Sequence, residues 1–416
     1  KEGGQGDRAY LKEIDSVEHL VSNGITSKNL IRAFSLRERL KGFAKGSEFK
    51  ASHLHVIGAG VMGGDIAAWC ALRGIRVTLQ DQTYAQIAPA IGRAHALYKK
   101  KLRKPRLIQA AMDNLIPDPE GYGIAHADVI IEAVFENLAV KQEIMKKVEK
   151  LAKKEAIIAT NTSSIPLDEI SNIMNNPKRL VGIHFFNPVA KMDLVEIVSS
   201  VHTSKTVELN SCAFVNQIGK LSLPVKSSPG FLVNRVLMPY LMECVQLLDE
   251  GYSAETIDEA ALAFGMFMGP VELADTVGLD VGLAVAENLT AHFGGTVPQK
   301  LRDMVKEGKL GRKTGQGFYQ YKNGKPVKKR PDTPIDPHIA DRLILRMVNE
   351  AAACLREGVV ADADLLDAGM IFATGFAPFR GGPMHYAKDF GSNNLENLFK
   401  TLESKYGERF KVDESL

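Results

Sequence analysis

Apolar residues follow two rhythms along this chain, and the change between them divides it. From Leu54 onward, short continuous apolar runs alternate with longer amphipathic stretches. LHVIG, IRVTLQD, ADVIIEAV, AIIATNTS, RLVGIHFFNP and MDLVEIV read as strands. GAGVMGGDIAAWCALRG, ending at Gly74, and NLAVKQEIMKKVEKLAKK read as helices. Strands that are apolar on both faces and separated by helices predict a parallel, doubly wound α/β sheet, placed at residues 51–227.

After SSPGF (227–231) the pattern turns helical almost throughout. VNRVLMPYLMECVQLLDEG is apolar nearly all round, which predicts a buried helix. The helical region also repeats itself. RVLMPYLMECVQLLDEG (235–251) matches RLILRMVNEAAACLREG (342–358), laying Arg235 on Arg342, Glu243 on Glu350 and Gly251 on Gly358. Further on, MGPVELADTVG matches GGPMHYAKDFG. Two copies about 107 residues apart predict two related all-α domains, at 228–330 and 331–416, with pseudo-symmetric packing. Between them GFYQYKNGKPV, with its Asn-Gly turn, reads as a β-hairpin. Residues 1–50 read as a polar linker and one amphipathic helix, in which Leu30, Ile31, Phe34, Leu36 and Leu40 form the packing face.

Composition narrows the function classes. The chain has 416 residues, 24% charged and 45% hydrophobic, with a net charge of +3, an ordinary globular profile with no global pull toward nucleic acid. No apolar run is long enough to span a membrane. The opening KEGGQGDR has neither an initiator Met nor the apolar core of a signal peptide, and we read it as a fragment boundary. Cys70, Cys212, Cys244 and Cys354 stand far apart, so they read as core fillers in a reducing compartment, with cytoplasm the expected location. No His/Cys grouping has metal-ligand spacing, so no metal is expected.

The first chemical signal is Gly58-Ala59-Gly60-Val61-Met62-Gly63, set between a predicted strand and a predicted helix. Glycines there permit a tight turn and close approach to a pyrophosphate, whose charge the helix N-terminus favours. Asp81 ends the next strand, where its carboxylate accepts from a ribose 2′-hydroxyl and repels a 2′-phosphate. The pattern is that of a Rossmann-type domain for NAD rather than NADP; FAD shares the same glycine fingerprint. His184 ends an apolar strand, and Glu196 lies 12 residues later in another. If FNPVAK turns the chain back, the two side chains meet, and a carboxylate on one imidazole nitrogen leaves the other as a base. Ser163 and Ser164, in NTSS at a strand's carboxyl end, either bind a substrate oxygen or cap the next helix. Asn234 either reaches back to this cleft or lies on a helix surface.

GAGVMG, IIEAVFEN, NTSS, HFFNPV, LVEIV and SPGFLVNR, in this order, resemble the 3-hydroxyacyl-CoA dehydrogenases from about Leu54 to the C-terminus. The duplicated helical unit and NLIRAFSLRERLK more closely resemble bacterial multifunctional fatty-acid oxidation enzymes. The resemblance implies NAD-dependent oxidation of L-3-hydroxyacyl-CoA in β-oxidation, with His184 and Glu196 as catalytic pair and Ser163 and Asn234 as substrate partners. It puts nicotinamide-side contacts on Glu136, Lys141, Ser163, Asn187 and Lys313, of which Lys313 by itself reads as a loop-ordering or solvated lysine. It sets Lys100, Arg103 and above all Lys104 against coenzyme A, whose phosphates suit the basic run Lys99–Arg106; a neighbouring serine of the family falls on Leu97. It also implies an enoyl-CoA hydratase domain ahead of this chain in the parent enzyme and leaves open a thiolase subunit as partner. GFAPFRGGPMHYA in the second copy reads as packing, with His385 unpaired. A dehydrogenase of a small 3-hydroxy acid and an idle dinucleotide-binding scaffold stay open as alternatives.

Overall fold

The computed structural model describes residues 24–331 and 336–416; the start of the expected linker lies outside them. The chain enters through α1 (Ile25–Gly42) and then builds β1 (His53–Ile57), α2 (Val61–Leu72), β2 (Arg76–Gln80), α3 (Tyr84–Lys101) and α4 (Pro105–Asp113). β3 (Leu115–Pro117), β4 (Val129–Glu132), α5 (Leu138–Leu151), β5 (Ile157–Thr160) and α6 (Leu167–Ser171) follow. β6 (Leu180–Phe185), β7 (Leu194–Ser199), α7 (Lys205–Gln217) and β8 (Leu221–Lys226) complete one eight-stranded sheet, ordered β3-β2-β1-β4-β5-β6-β7-β8.

Continuous apolar strands serve two cores at once because successive side chains point to opposite faces. Val129 and Ile131 of β4 and Ile157 and Ala159 of β5 join α2, α3 and α7 on one face. Ile130 and Ile158, between them in sequence, join α5 and α6 on the other. This is the doubly wound arrangement the alternation predicts. The sheet is not wholly parallel: β6 and β7 run antiparallel, with His184 opposite Glu196. The short β3 and the Pro-containing β8 escaped the sequence pattern.

The helical part comprises α8 (Val233–Asp249), α9 (Ala254–Phe264), α10 (Pro270–Val277), α11 (Leu279–Phe293) and α12 (Gln299–Lys306). A hairpin, β9 (Tyr321–Lys322) and β10 (Lys325–Pro326), turns at Asn323-Gly324, both at positive φ. Then come α13 (Pro337–Arg356), α14 (Ala363–Thr374), α15 (Pro383–Phe390) and α16 (Ser392–Tyr406). One apolar cluster runs through both copies. The copies repeat a local device as well. Asp258 accepts from the backbone N–H of Val271, in the first turn of α10. Asp367 does the same for Met384 and His385 in α15. In each case the preceding glycine, Gly269 or Gly382, leaves no room for a Cβ beside the carboxylate.

Two expectations need correction. On α1 the buried stripe is Asn29, Ala33, Leu36 and Leu40, whereas Leu30, Ile31 and Phe34 are exposed. Polar bonds fix the same covered side, with Arg32 on Asp367 and Asn29 on the Phe379 carbonyl. His385 is not unpaired: its Nε2 lies 3.4 Å from Asp389, one turn along the same helix.

Within β1, burial pushes the His55 imidazole down to about 4, although Thr78 and Gln80 bond its two nitrogens. The unfolded chain therefore takes up this proton first, from pH 6.5 down, and stability falls as pH drops from 6.5 toward 4. Urea midpoints measured across that window should fall less steeply for His55→Gln than for wild type, and parallel slopes would contradict the assignment.

Candidate functional site

The glycine turn, the NTSS loop, His184 and the start of α8 meet at the carboxyl ends of the central strands. At the turn, Gly58 has a φ of 102°, and a Cβ there would stand 2.6 Å from the Ala133 carbonyl oxygen. At Gly63 a Cβ would stand 1.9 Å from the Gly58 oxygen, so α2 packs on its own entry turn only as glycine. Nothing lies within 4 Å of a Cβ at Gly60. That glycine and Val61 are exposed, and no side chain caps the helix. Its first amides thus point outward at the positive end of the dipole.

Asp81 braces the turn by accepting from Ala59 N–H at 2.8 Å, and its other oxygen accepts from Gln82 N–H. Half-exposed at the end of β2, it still has lone pairs for a ribose. This glycine cradle with its acidic side chain fits a dinucleotide. A cation that sequence reading missed stands beside it. Arg93, from α3, donates to the Gly60 carbonyl at 2.8 Å and lies 3.4 Å from Asp65.

On the next strands, one carboxylate organises the serine loop. Glu136 Oε1 accepts from Thr162 Oγ1 at 2.6 Å, from Ser163 N–H at 2.9 Å and from Ser164 N–H at 3.2 Å, and both serine hydroxyls lie within 3.4 Å of it. Burial opposes its charge, but Lys141 and these donors outweigh that and hold its pKa below the ordinary glutamate value. The serines therefore do not cap α6, whose N-cap is Pro166. Lys141 is only 1% exposed and sits 2.8 Å from Glu132 and 3.2 Å from Glu136, so in this conformation it acts on the loop through Glu136.

The antiparallel turn after β6 brings His184 Nδ1 to 2.7 Å from Glu196 Oε2. Both are buried. Glu196 spends its other oxygen on α8, accepting from Leu232 N–H at 3.1 Å and Val233 N–H at 3.0 Å. A buried carboxylate left unpaired would cost several kcal/mol; here three donors and a helix N-terminus satisfy it. The rings of Phe186 and Phe231 stand edge-on to the imidazole, at 4.6 and 5.5 Å. Phe231 takes a positive φ of 54°, local strain accepted where its ring walls the histidine. One residue into α8, Asn234 Nδ2 donates to the Ser163 carbonyl at 3.4 Å, which brings helical and sheet residues together.

The other candidates make none of these contacts among the described residues. Asn187 is exposed in the turn after β6. Lys313 is ion-paired with Asp280 at the start of α11. Lys100, Arg103 and Lys104 are exposed at the end of α3 and beyond, with no acidic partner among the described residues. A residue missed from sequence ties down the connection between His184 and Glu196. Lys220 is 4% exposed, donates to the Val189 and Met192 carbonyls at 2.6 and 2.5 Å, and lies over the Trp69 ring. Burial pushes its ammonium down to about 8.

Comparison with known proteins identifies both parts of the chain. Residues 53–228 match the 3-hydroxyacyl-CoA dehydrogenase NAD-binding domain, and residues 230–321 match the C-terminal domain of the same family. The chain is 36% identical over 381 residues to a fatty acid oxidation complex subunit alpha of Shewanella baltica, a match covering 87% of this chain and 54% of that protein. It thus spans about half the length of the curated relatives it matches. Among solved structures, 3-hydroxybutyryl-CoA dehydrogenase of Escherichia coli K12 superposes with a TM-score of 0.77 at 26% identity, covering 88% of this chain and 97% of that one. The (S)-3-hydroxybutyryl-CoA dehydrogenase of Ralstonia eutropha, 36% identical, covers 66% of this chain and 100% of its own, with a TM-score of 0.62. With its glycine cradle on an NAD-binding domain and its His184–Glu196 contact beneath α8, the chain belongs to the 3-hydroxyacyl-CoA dehydrogenase family.

Proposed function

We propose that this chain oxidises the 3-hydroxyl of an L-3-hydroxyacyl-CoA to the 3-ketone, with His184 as general base. The observation that carries this reading is the 2.7 Å contact between His184 Nδ1 and Glu196. It fixes the ring's orientation and turns Nε2 toward a substrate oxygen. Glu196 then stabilises the imidazolium that forms when the hydroxyl proton arrives. Ser163 and Asn234, which touch each other, hold the substrate oxygen. Glu136, Lys141, Asn187 and Lys313 order the nicotinamide side. Gly58–Gly63 and Asp81 would hold NAD, which when bound would supply the hydride acceptor.

The acyl carrier follows from charge. Lys100, Arg103 and Lys104 are cations without partners among the described residues, and the phosphates of coenzyme A suit them, whereas a small hydroxy acid has no use for such a patch. We take the chain as the dehydrogenase part of a longer β-oxidation enzyme. In the whole protein an enoyl-CoA hydratase domain precedes it, and a thiolase subunit is a candidate partner.

Nicotinamide absorbance with acetoacetyl-CoA follows the reaction in reverse. Wild type should consume NADH rapidly and NADPH poorly, and His184→Gln should be slower by about 10²–10⁴-fold. A folded wild type that turns nothing over would favour an idle dinucleotide-binding module. Gly63→Ala tests the cradle separately. Overpacking of about 1–3 kcal/mol should weaken NADH binding by about 5- to 160-fold in a fluorescence titration, and unchanged affinity would place the dinucleotide elsewhere.

A further inference from the structure

The two helical copies exchange ion pairs in a near-symmetric way. Arg235 of the first copy donates through Nε to Glu350 at 2.7 Å and through its two terminal nitrogens to Glu357 at 2.6 and 2.9 Å. Arg342 of the second copy donates to Glu243, and its terminal nitrogens reach Glu250 at 2.5 and 2.8 Å. Each residue and its mate stand about 107 positions apart. Both arginines are nearly fully buried, and each guanidinium lies over an aromatic ring, Phe293 or Tyr406, at 3.9 Å.

The surroundings of the two pairs break the symmetry. Immediately before Arg235 come Leu232 and Val233, whose amides hold Glu196, and Asn234, which reaches Ser163. Immediately before Arg342 stands Asp341, whose ion-pair partner among the described residues is His338 on the same helix. A second tie reinforces the first pair: Lys226 N–H donates to the Val359 carbonyl at 2.8 Å. The segment from Lys226 to Arg235 is therefore anchored at both ends to the second copy, within residues 350–359. That segment contains the strained Phe231 and the first turn of α8.

We infer that the second helical copy, which carries no part of the catalytic pair itself, positions that pair. Glu350 and Glu357 fix the Arg235 guanidinium, which fixes the first turn of α8. That turn sets the two amides on Glu196 and the reach of Asn234. Arg235, Glu350 and Glu357 are thus positioning residues for the dehydrogenase reading proposed above, on which this inference rests. The mirrored pair, Arg342 with Glu250, holds the same helices together without touching the site.

This asymmetry supplies its own control. Glu357→Gln and Glu250→Gln each remove one charge from corresponding two-pronged pairs while keeping the side chain's shape; Glu250 also has the Arg409 guanidinium 3.7 Å away. Both variants of the full chain should lose thermal stability. Displacement of about 1 Å at a reacting group costs about 10²-fold, so a partial shift in Glu357→Gln should lower kcat by about ten-fold. In that variant KM for NADH should stay within about two-fold of wild type, and Glu250→Gln should keep its kcat. Hydrogen exchange gives a readout independent of turnover. The Leu232 and Val233 amides should exchange faster in Glu357→Gln and at the wild-type rate in Glu250→Gln. Equal effects of the two variants on kcat and on these amides would overturn the inference. Were wild type itself inactive, the dehydrogenase reading would fall, and the exchange comparison would still decide whether the second copy holds α8.

Discussion

Glu196 is the point on which the rest of the structure turns. Its side chain is fully buried, a position that an unpaired carboxylate cannot occupy cheaply. One oxygen meets the His184 imidazole and the other meets two amides at the N-terminus of α8. The same group therefore orients the histidine and joins the sheet to the helical part. The connection between β6 and β7, residues 186–193, is too short for a parallel crossover, so these strands pair antiparallel in an otherwise parallel sheet, and that register sets His184 opposite Glu196. The chain then turns through Pro229-Gly230, with Gly230 at a φ of 73°, and starts α8 where its amides meet Glu196.

Around this joint, the polar groups are supported in layers. Glu136 gathers the serine loop, and Lys141, itself held by Glu132, keeps that carboxylate in place. Lys220 ties two carbonyls of the loop between the paired residues. Arg235 carries the support outward to the second helical copy. These groups are bonded to one another, which holds the loops around His184 and Glu196 in one arrangement.

Much of this could be read from residue order. Strand alternation gave the doubly wound sheet because continuous apolar runs have no other way to be buried on two faces. The glycine spacing and Asp81 located the cradle, and the 12 residues between His184 and Glu196 suited a returning strand. What escaped did so for physical reasons. An apolar tally on α1 cannot tell which side is covered, and Ala33 and Asn29 went inside while Phe34 did not. Lys220 and Arg93 are single cations far in sequence from what they hold, and no spacing marks them. The repeat aligned Arg235 with Arg342 but did not show that each would reach across to the other's glutamates. The His385–Asp389 contact was legible as a helical i, i+4 pair.

The central claim is that Glu196 leaves His184 with its proton on Nδ1 and Nε2 free to accept. Heteronuclear NMR of nitrogen-labelled histidine, with the His184 signals identified by their loss in His184→Gln, reads this directly. The expected result is a neutral ring protonated at Nδ1 in wild type, with that preference weakened in Glu196→Gln. A neutral ring protonated at Nε2 in the wild-type protein would contradict it, because the nitrogen facing the substrate could not then act as a base.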